Sequence, residues 1–232
     1  LSANTAEPIE LIEQLKEHLD SMMISDYRKL PDPIKDYTEF VDHVEKVKAD
    51  PSVTSGLMTN SIDLDAITNG WQRADLIVIG GRTSMGKSAF ALNNVLDLAK
   101  AGHMCAVFSL EMSKRQVYMR LAAAAYGIQL YDFKTGGLSD ETILKLRKHD
   151  DFWNRIIIDD TRAVSADYIA ETMQAIKQQI GLDFVIVDYL QDIKEIGEHT
   201  DNTGSALMRI CRKLRKAAQD CNVPIMAMSQ IS

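Results

Sequence analysis

The spacing of apolar and polar residues changes along the chain, and from Leu76 onward short apolar runs alternate with stretches of helical length. The runs are Leu76–Gly80, Cys105–Leu110, Ile156–Ile158, Phe184–Val187 and Pro224–Met228. The helical stretches are Lys87–Lys100, Lys114–Tyr126, Ala166–Ile180 and Ala206–Asp220, with a further helix and loops around Asp132–Asp151. Runs without polar alternation are typical of parallel strands covered on both faces. This alternation predicts an α/β domain with a mostly parallel sheet flanked by helices.

The first fifty residues follow a helical period instead. Thr5 can cap a helix that carries Pro8 in its first turn. An apolar stripe follows at helical spacing, made of Leu11, Ile12, Leu15, Leu19, Met22 and Met23. A second amphipathic stretch covers residues 34–48. One helix cannot bury such a stripe against itself, so it packs either on its own domain or on a neighbouring subunit. We predict a helical arm over residues 1–50 and a domain over residues 51–232.

Composition limits the class of protein. The chain has 232 residues, of which 46% are hydrophobic and 25% charged, as expected for a folded domain with an arm. No run approaches 18 uninterrupted apolar residues, so we expect no membrane span. The first residues show no initiator Met and no signal peptide pattern. We therefore expect a cytoplasmic protein and a fragment cut at its N-terminus.

Charge and metal-binding residues exclude two further classes. The formal net charge is −7, and residues 1–50 hold −6 of it with twelve acids and six bases. A protein that binds nucleic acid through a generally basic surface has a pI above 9, so any such contact here must be local. The three Cys and five His residues show neither C-x-x-C pairs nor metal-site spacing. We expect free thiols and surface imidazoles.

The first apolar run leads into a complete phosphate-loop motif, G-x-x-x-x-G-K-[ST]. Its residues are Gly81, Arg82, Thr83, Ser84, Met85, Gly86, Lys87 and Ser88. The two glycines permit a backbone path that turns N–H groups towards phosphate oxygens, and the following helix presents its positive end to the same anion. In this motif Lys87 reaches the β- and γ-phosphates, and the Ser88 hydroxyl binds Mg²⁺. The motif predicts a nucleoside triphosphate site.

Three other apolar runs end in polar groups suited to the same nucleotide. Asp188 follows the fourth run, on a strand that we expect beside the phosphate loop, and can hold Mg²⁺. Glu111 follows the second run and can deprotonate the water that attacks the γ-phosphate. Gln230 ends the fifth run, where its amide can contact the γ-phosphate. The alternatives are a helix-capping Asp and a Glu in a rim salt bridge.

These motifs resemble those of the DnaB-type replicative DNA helicases of bacteria or phages. The matching segments are Ser84–Ser88, Phe108–Met112, Asp188–Gln191 and Met228–Ser232, within residues 55–232. The resemblance implies a RecA-like motor domain, truncated at its C-terminus, that binds ATP and Mg²⁺. It implies Lys87 and Glu111 as catalytic residues, Ser88 and Asp188 at the metal, and Gln230 at the γ-phosphate.

The resemblance also implies partners. The arm is similar to the linker helix that fastens a hexameric ring in this family, and single-stranded DNA passes through the ring. For the full-length parent the resemblance implies a primase and a helicase loader, in the bacterial cytosol or a phage-infected cell. The family's arginine finger and second DNA loop lie beyond Ser232. We therefore expect this fragment to hydrolyse ATP slowly or not at all.

DNA contacts are predicted on the last helical stretch. Arg209, Arg212 and Lys213 are followed by Arg215 and Lys216 without an intervening acid. Few cations per subunit suffice when a ring multiplies them, although such a face is also compatible with simple solvation. Two other functions stay open: a recombination-type RecA-like ATPase, and a nucleotide-gated assembly module that does not unwind DNA.

Overall fold

The computed structural model describes residues 32–50, 56–148, 150–194 and 203–231. The chain divides into two units, residues 1–53 and Thr54–Ser232, and each is treated by itself. In the first unit, helix α1 covers Pro33–Ala49. Asp32 caps it, because one carboxylate oxygen accepts the N–H groups of Ile34 and Lys35. The second amphipathic stretch is thus confirmed as a helix, whereas the predicted helix from Thr5 lies outside the described residues.

Five strands form the sheet of the second unit. They are β1 (Leu76–Gly81), β2 (Cys105–Ser109), β3 (Ile156–Asp159), β4 (Phe184–Asp188) and β5 (Ile225–Gln230). Their order is β1-β5-β4-β2-β3, and every pair is parallel. The predicted parallel α/β fold is therefore confirmed. One detail was wrong: β5 lies between β1 and β4, so the strand that ends in Asp188 is not next to the strand of the phosphate loop.

The described part of this unit also contains helices. They are α2 (Ile62–Thr68), α3 (Lys87–Lys100), α4 (Lys114–Tyr126), α5 (Leu130–Thr135), α6 (Asp140–Lys148), α7 (Ala166–Ile180) and α8 (Thr203–Cys221). Two short 3₁₀ turns, Asp151–Arg155 and Leu190–Asp192, precede β3 and follow β4. Among the described helices none is long and apolar enough to cross a membrane.

The core lies in two layers, one on each face of the sheet. One layer joins the strands to α7 and α8, with Ile169, Met173 and Leu214 fully buried. The other joins them to α3 and α4, and Val95 and Leu121 are buried there. Every residue of β2 and β4 is buried, which explains the uninterrupted apolar runs in the sequence. Each large apolar side chain so buried contributes about 1.5–3 kcal/mol of transfer free energy.

The strand ends differ slightly from the predicted runs, for backbone reasons. Pro224 has no N–H to donate to a ladder, so β5 begins one residue later, although the Pro224 carbonyl still accepts the N–H of Val185. Leu110 leaves β2 and donates its N–H to the carbonyl of Asp188. The carboxyl ends of β2 and β4 are thus joined where the candidate residues lie.

Candidate functional site

A cleft of about 490 Å³ opens at the carboxyl edge of the sheet. Residues 83–88 of the phosphate loop line one side of it. Glu111, Asp188 and Gln230, each at or just after the end of a different strand, are also lining residues. Ligands of open parallel sheets bind beyond the carboxyl ends of the strands, and this cleft has that position. The groups predicted from four apolar runs therefore share one cavity.

The phosphate loop connects β1 to α3 through two residues in the left-handed region. Ser84 has φ 64° and Gly86 has φ 90°. Gly86 is also the N-cap of α3, so the first turn of that helix begins at the loop. A backbone that alternates in this way directs successive N–H groups to one side, where an anion can accept them. Together with the positive end of α3, this geometry suits a phosphate.

Lys87 is held at the mouth of this loop. Its Nζ donates hydrogen bonds to the carbonyls of Gly81 at 2.6 Å and Arg82 at 2.9 Å. Gly81 and Arg82 were both assigned to the nucleotide, but neither lines the cleft. They hold the Lys87 side chain instead. A Cβ at Gly81 would lie 3.4 Å from Lys87 Cδ and 3.5 Å from its Cγ, which are ordinary contact distances, so the lysine side chain packs beside this glycine.

Asp188 and Ser88 form the polar floor of the cleft. Asp188 is 5% exposed and accepts a hydrogen bond from the Ser88 hydroxyl. Burial raises the pKa of Asp188 above its ordinary value, while the Ser88 hydrogen bond and the charges of Lys87 and Arg120 pull that pKa down. A carboxylate and a hydroxyl are oxygen ligands of the kind that Mg²⁺ prefers. The pair therefore fits a magnesium ion that completes its coordination with phosphates and water.

The described residues offer no alternative metal site made of protein ligands alone. No group of three or more His, Cys, Asp and Glu side chains among them could hold a metal ion. This agrees with the chemistry of Mg²⁺, which binds to one or two carboxylates and takes its other ligands from substrate phosphates and water.

Glu111 lies on a turn that is anchored on both sides. Before it, the N–H of Leu110 donates a hydrogen bond to the carbonyl of Asp188 at the end of β4. The buried Ser109 hydroxyl donates to the carbonyl of Met112 at 2.8 Å, across the turn. After it, the N–H of Lys114, the first residue of α4, donates to a carboxylate oxygen of Asp160 at 2.8 Å. The loop after β3 thus fixes the start of α4. The Glu111 side chain is exposed at the cleft.

Several residues of the cleft were missed by sequence reasoning. Gln116 and Arg120 line it from α4, as do Met112 and Tyr189 from the turns after β2 and β4. Gln116 and Arg120 are four residues apart on one helix, so they share a face. That spacing, counted from the Glu111 turn, was the available signal. Arg120 brings a second cationic side chain, besides Lys87, close enough to influence Asp188.

The predicted DNA-binding residues lie elsewhere, on α8. The buried face of this helix contains Ile210 and Leu214. Arg212 is exposed and Arg209 half-buried. The Nζ of Lys213 lies 2.8 Å from a carboxylate oxygen of Asp167 on α7, so its charge is already partnered within the domain. None of the three lines the nucleotide cleft.

Comparison with known proteins gives consistent matches. Residues 56–232 match the family model described as DnaB-like helicase C terminal domain. The chain is 36% identical over 194 residues to the replicative DNA helicase DnaC of Bacillus subtilis, covering 82% of this chain and 43% of that protein. It is 38% identical over 182 residues to the replicative DNA helicase DnaB of Synechocystis sp., covering 76% and 20%. The chain thus spans less than half the length of these curated relatives.

Two solved structures share the fold. One, described as an ATPase domain, matches with a TM-score of 0.76 and 28% identity, covering 87% of this chain and 72% of that one. The other, "The Structure Of A DnaB-Like Replicative Helicase And Its Interactions With Primase", matches with a TM-score of 0.73 and 25% identity, covering 97% and 57%.

Proposed function

The chain belongs to the family of DnaB-like helicase C-terminal domains, and from this premise we propose that it is the motor of a replicative DNA helicase. In this proposal ATP hydrolysis drives translocation on single-stranded DNA and unwinding of the duplex. One observation carries the proposal: Lys87, Ser88, Glu111, Asp188 and Gln230 come from four strand ends and line a single cleft. Each of these groups suits a different part of a bound triphosphate and its metal ion.

Each of these residues has a separate role in the proposed binding and hydrolysis of ATP. The loop N–H groups and Lys87 bind the β- and γ-phosphates, and Ser88 with Asp188 holds Mg²⁺. When bound, the ion neutralises charge on the phosphate oxygens. Glu111 takes a proton from the attacking water while the water oxygen forms a bond to the γ-phosphorus. The bond between the γ-phosphorus and the β-phosphate oxygen breaks, and ADP is released. Gln230 contacts the γ-phosphate before this step.

We expect slow hydrolysis by this chain alone. A cation that meets the charge developing on the γ-phosphate increases the rate by about 10³–10⁵. Of the cations in the described part of the chain, Lys87 and Arg120 line the cleft, and neither matches the family's finger motif. The missing cation would come from a neighbouring subunit of a ring. Hydrolysis at several turnovers per second by the isolated chain would contradict this account.

We propose that the arm serves ring assembly. None of the residues of α1 is buried, and Ile34, Tyr37, Phe40 and Val44 form an apolar row that is 47–79% exposed. A neighbouring copy that covers this row would remove it from water. The hexamer, the primase and helicase loader of the parent, and its location in the bacterial cytosol or a phage-infected cell are proposed on the same family basis.

Nucleotide binding tests the site directly. The chain should bind a fluorescent ATP analogue in the presence of Mg²⁺, and Lys87→Ala should weaken that binding by about 100-fold because the substitution removes charge-assisted hydrogen bonds to phosphate. Lys134→Ala removes the same charge from the exposed surface of α5 and is the matched control. Equal binding by Lys87→Ala and the wild type would contradict the proposed site.

A second experiment separates a motor from an assembly module. In the full-length parent, Glu111→Gln should retain ATP binding and ring assembly. Its rate of ATP hydrolysis should fall by about 10²–10⁴-fold, the usual contribution of a general base. Unwinding of a forked duplex should fall with it. A parent protein that assembles with ATP but never unwinds a fork would favour the nucleotide-gated assembly module.

A further inference from the structure

Gln191 binds the backbone of Gln230, the residue assigned to the γ-phosphate. Its amide Nε2 donates to the carbonyl of Gln230 at 3.0 Å and to the hydroxyl of Ser229 at 3.0 Å. Its amide oxygen accepts the N–H of Gln230 at 3.3 Å. The side-chain amide therefore uses both its donor and its acceptor on one residue, as a peptide group of an adjacent strand would.

The Gln191 side chain lies beside the end of β5, where β5 has no strand partner on the β4 side. On one side, β5 is paired with β1 as far as Gly81 and Gln230. On the other side, its pairing with β4 ends at Val187 and Ala227. The last three residues of β5 thus extend beyond the β4 ladder, and Gln191 supplies hydrogen bonds to the outermost of them.

The turn that carries Gln191 is firmly attached to the domain. Leu190 and Ile193 are both buried in the core layer that contains α8. The N–H of Lys194 donates to the carbonyl of Val164 at 2.9 Å. Because the turn is anchored before and after Gln191, its amide can hold the end of β5 in a defined position, whereas the side chain of Gln230 itself is exposed at the cleft.

We infer that Gln191 is a positioning residue for γ-phosphate recognition: it fixes the end of β5 so that the Gln230 amide meets the third phosphate of the nucleotide. The inference rests on the proposed function. It assigns to Gln191 an effect on the difference between triphosphate and diphosphate binding. General affinity for nucleotide stays with the phosphate loop, and Gln191 is not a lining residue of the cleft.

Binding of two nucleotides isolates this effect. The dissociation constants of Mg²⁺ complexes of ADP and of a non-hydrolysable ATP analogue are measured for the wild type, Gln191→Leu, Gln230→Ala and the double variant. Leu keeps the side-chain bulk and removes both hydrogen-bonding groups. Gln191→Leu should weaken binding of the ATP analogue by about tenfold, the scale of a hydrogen bond to a charged group, and should leave ADP binding within about twofold, a change too small to represent a hydrogen bond.

The double variant distinguishes positioning from general destabilisation. If Gln191 acts only through Gln230, adding Gln191→Leu to Gln230→Ala should cause no further loss, whereas independent effects would multiply. Gln191→Glu should weaken the ATP analogue as well, because a carboxylate oxygen replaces the donor that faces the Gln230 carbonyl. Gln178→Glu, on the exposed surface of α7, is the control for the added charge.

Each outcome has a definite meaning. Unchanged preference for the ATP analogue in Gln191→Leu, equal losses for both nucleotides, or multiplying losses in the double variant would each overturn the inference and leave the nucleotide site intact. Unchanged preference in Gln230→Ala would overturn it by removing the sensor. A wild-type chain that binds neither nucleotide would refute the proposed function and this inference together.

Discussion

At the scale of single residues, Asp188 combines two opposing requirements. In the proposed role its carboxylate must be charged to hold Mg²⁺, yet it is almost fully buried, and burial raises its pKa. Protonation therefore favours the folded state, and the contribution of Asp188 to stability decreases as pH rises through its raised pKa. At neutral pH the folded chain carries the cost of a buried charge, offset only in part by Ser88, Lys87 and Arg120.

Replacing this charge should therefore stabilise the domain and impair its function. We expect Asp188→Asn to raise the melting temperature at pH 7.5, where each kcal/mol recovered corresponds to about 2–4 °C for a domain of this size. The gain should shrink towards and below pH 3.8, the ordinary pKa of the group, as the wild-type carboxyl takes up its proton. Thermal melts of both proteins across this range, followed by circular dichroism, provide the measurement.

The same variant should lose the Mg²⁺ dependence of nucleotide binding, a trade of activity for stability that is common at functional sites. Glu171→Gln, at an exposed position of α7, controls for the loss of one negative charge. A variant that is less stable than the wild type at pH 7.5, or whose difference from it does not change with pH, would contradict the account of Asp188.

The candidate site could be predicted residue by residue only where a chemical group follows an apolar run. Glu111, Asp188 and Gln230 do so, and the carboxyl ends of parallel strands share one edge, so their proximity follows from the fold class. Gln191 and Arg120 do not end an apolar run: the helical spacing on α4 was the signal for Arg120, and the partner of Gln191 had none. Gln191 acts on a backbone 39 positions away, and that hydrogen bond depends on where the β4 ladder stops, which no local pattern encodes.

At the scale of elements, length decided what the sequence could predict. Helices α3, α4 and α7 have the predicted bounds, and each shows several turns of apolar periodicity. Helix α8 was also predicted, but it covers Thr203–Cys221 and is longer at both ends than the predicted Ala206–Asp220. Helix α2 was missed and the region from α5 to α6 was predicted only as a helix with loops. These helices have six to nine residues and none is buried, so they provide too few periodic positions.

Helix α8 joins the buried core to a basic surface, and the DNA contacts predicted from sequence can be tested there. Replacing Arg209 and Arg212 by Gln should weaken single-stranded DNA binding by about tenfold, and the slope of log affinity against log salt should fall by about 0.7 for each phosphate that is no longer neutralised. Nucleotide affinity should not change. Fluorescence anisotropy of labelled single-stranded DNA at several salt concentrations measures the DNA affinity and its salt dependence. Lys213 should contribute less, because it is paired with Asp167.

A matched control removes two charges from other helices, with Arg147→Gln on α6 and Lys134→Gln on α5, both exposed. If this control weakens DNA binding as much as the replacement of Arg209 and Arg212, the effect is one of total charge and α8 has no specific role. Unchanged DNA affinity in the Arg209 and Arg212 variant would leave the basic surface as a solvated helix face.

At the scale of the whole molecule, the candidate site and helix α1 each have a feature that a neighbouring copy could complete. The cleft lacks an assigned cation for the γ-phosphate within the described chain, and the apolar row of α1 lies exposed. A ring built by rotation uses the same two surfaces at every interface. We therefore propose that, in a ring, neighbouring copies cover the row and supply the cation to the cleft.

The apolar row of α1 provides the test of this arrangement. In a ring, a change in α1 is repeated at every interface, so its effect on assembly is multiplied. We expect Tyr37→Ser with Phe40→Ser, as well as removal of residues 1–50, to convert an oligomer into monomers. Both serines keep the net charge of the helix. Asp42→Asn with Glu45→Gln changes α1 outside the row and should still assemble. Sedimentation velocity with Mg²⁺ and nucleotide measures the result, and an unchanged oligomer after removal of residues 1–50 would show that other surfaces hold the subunits together.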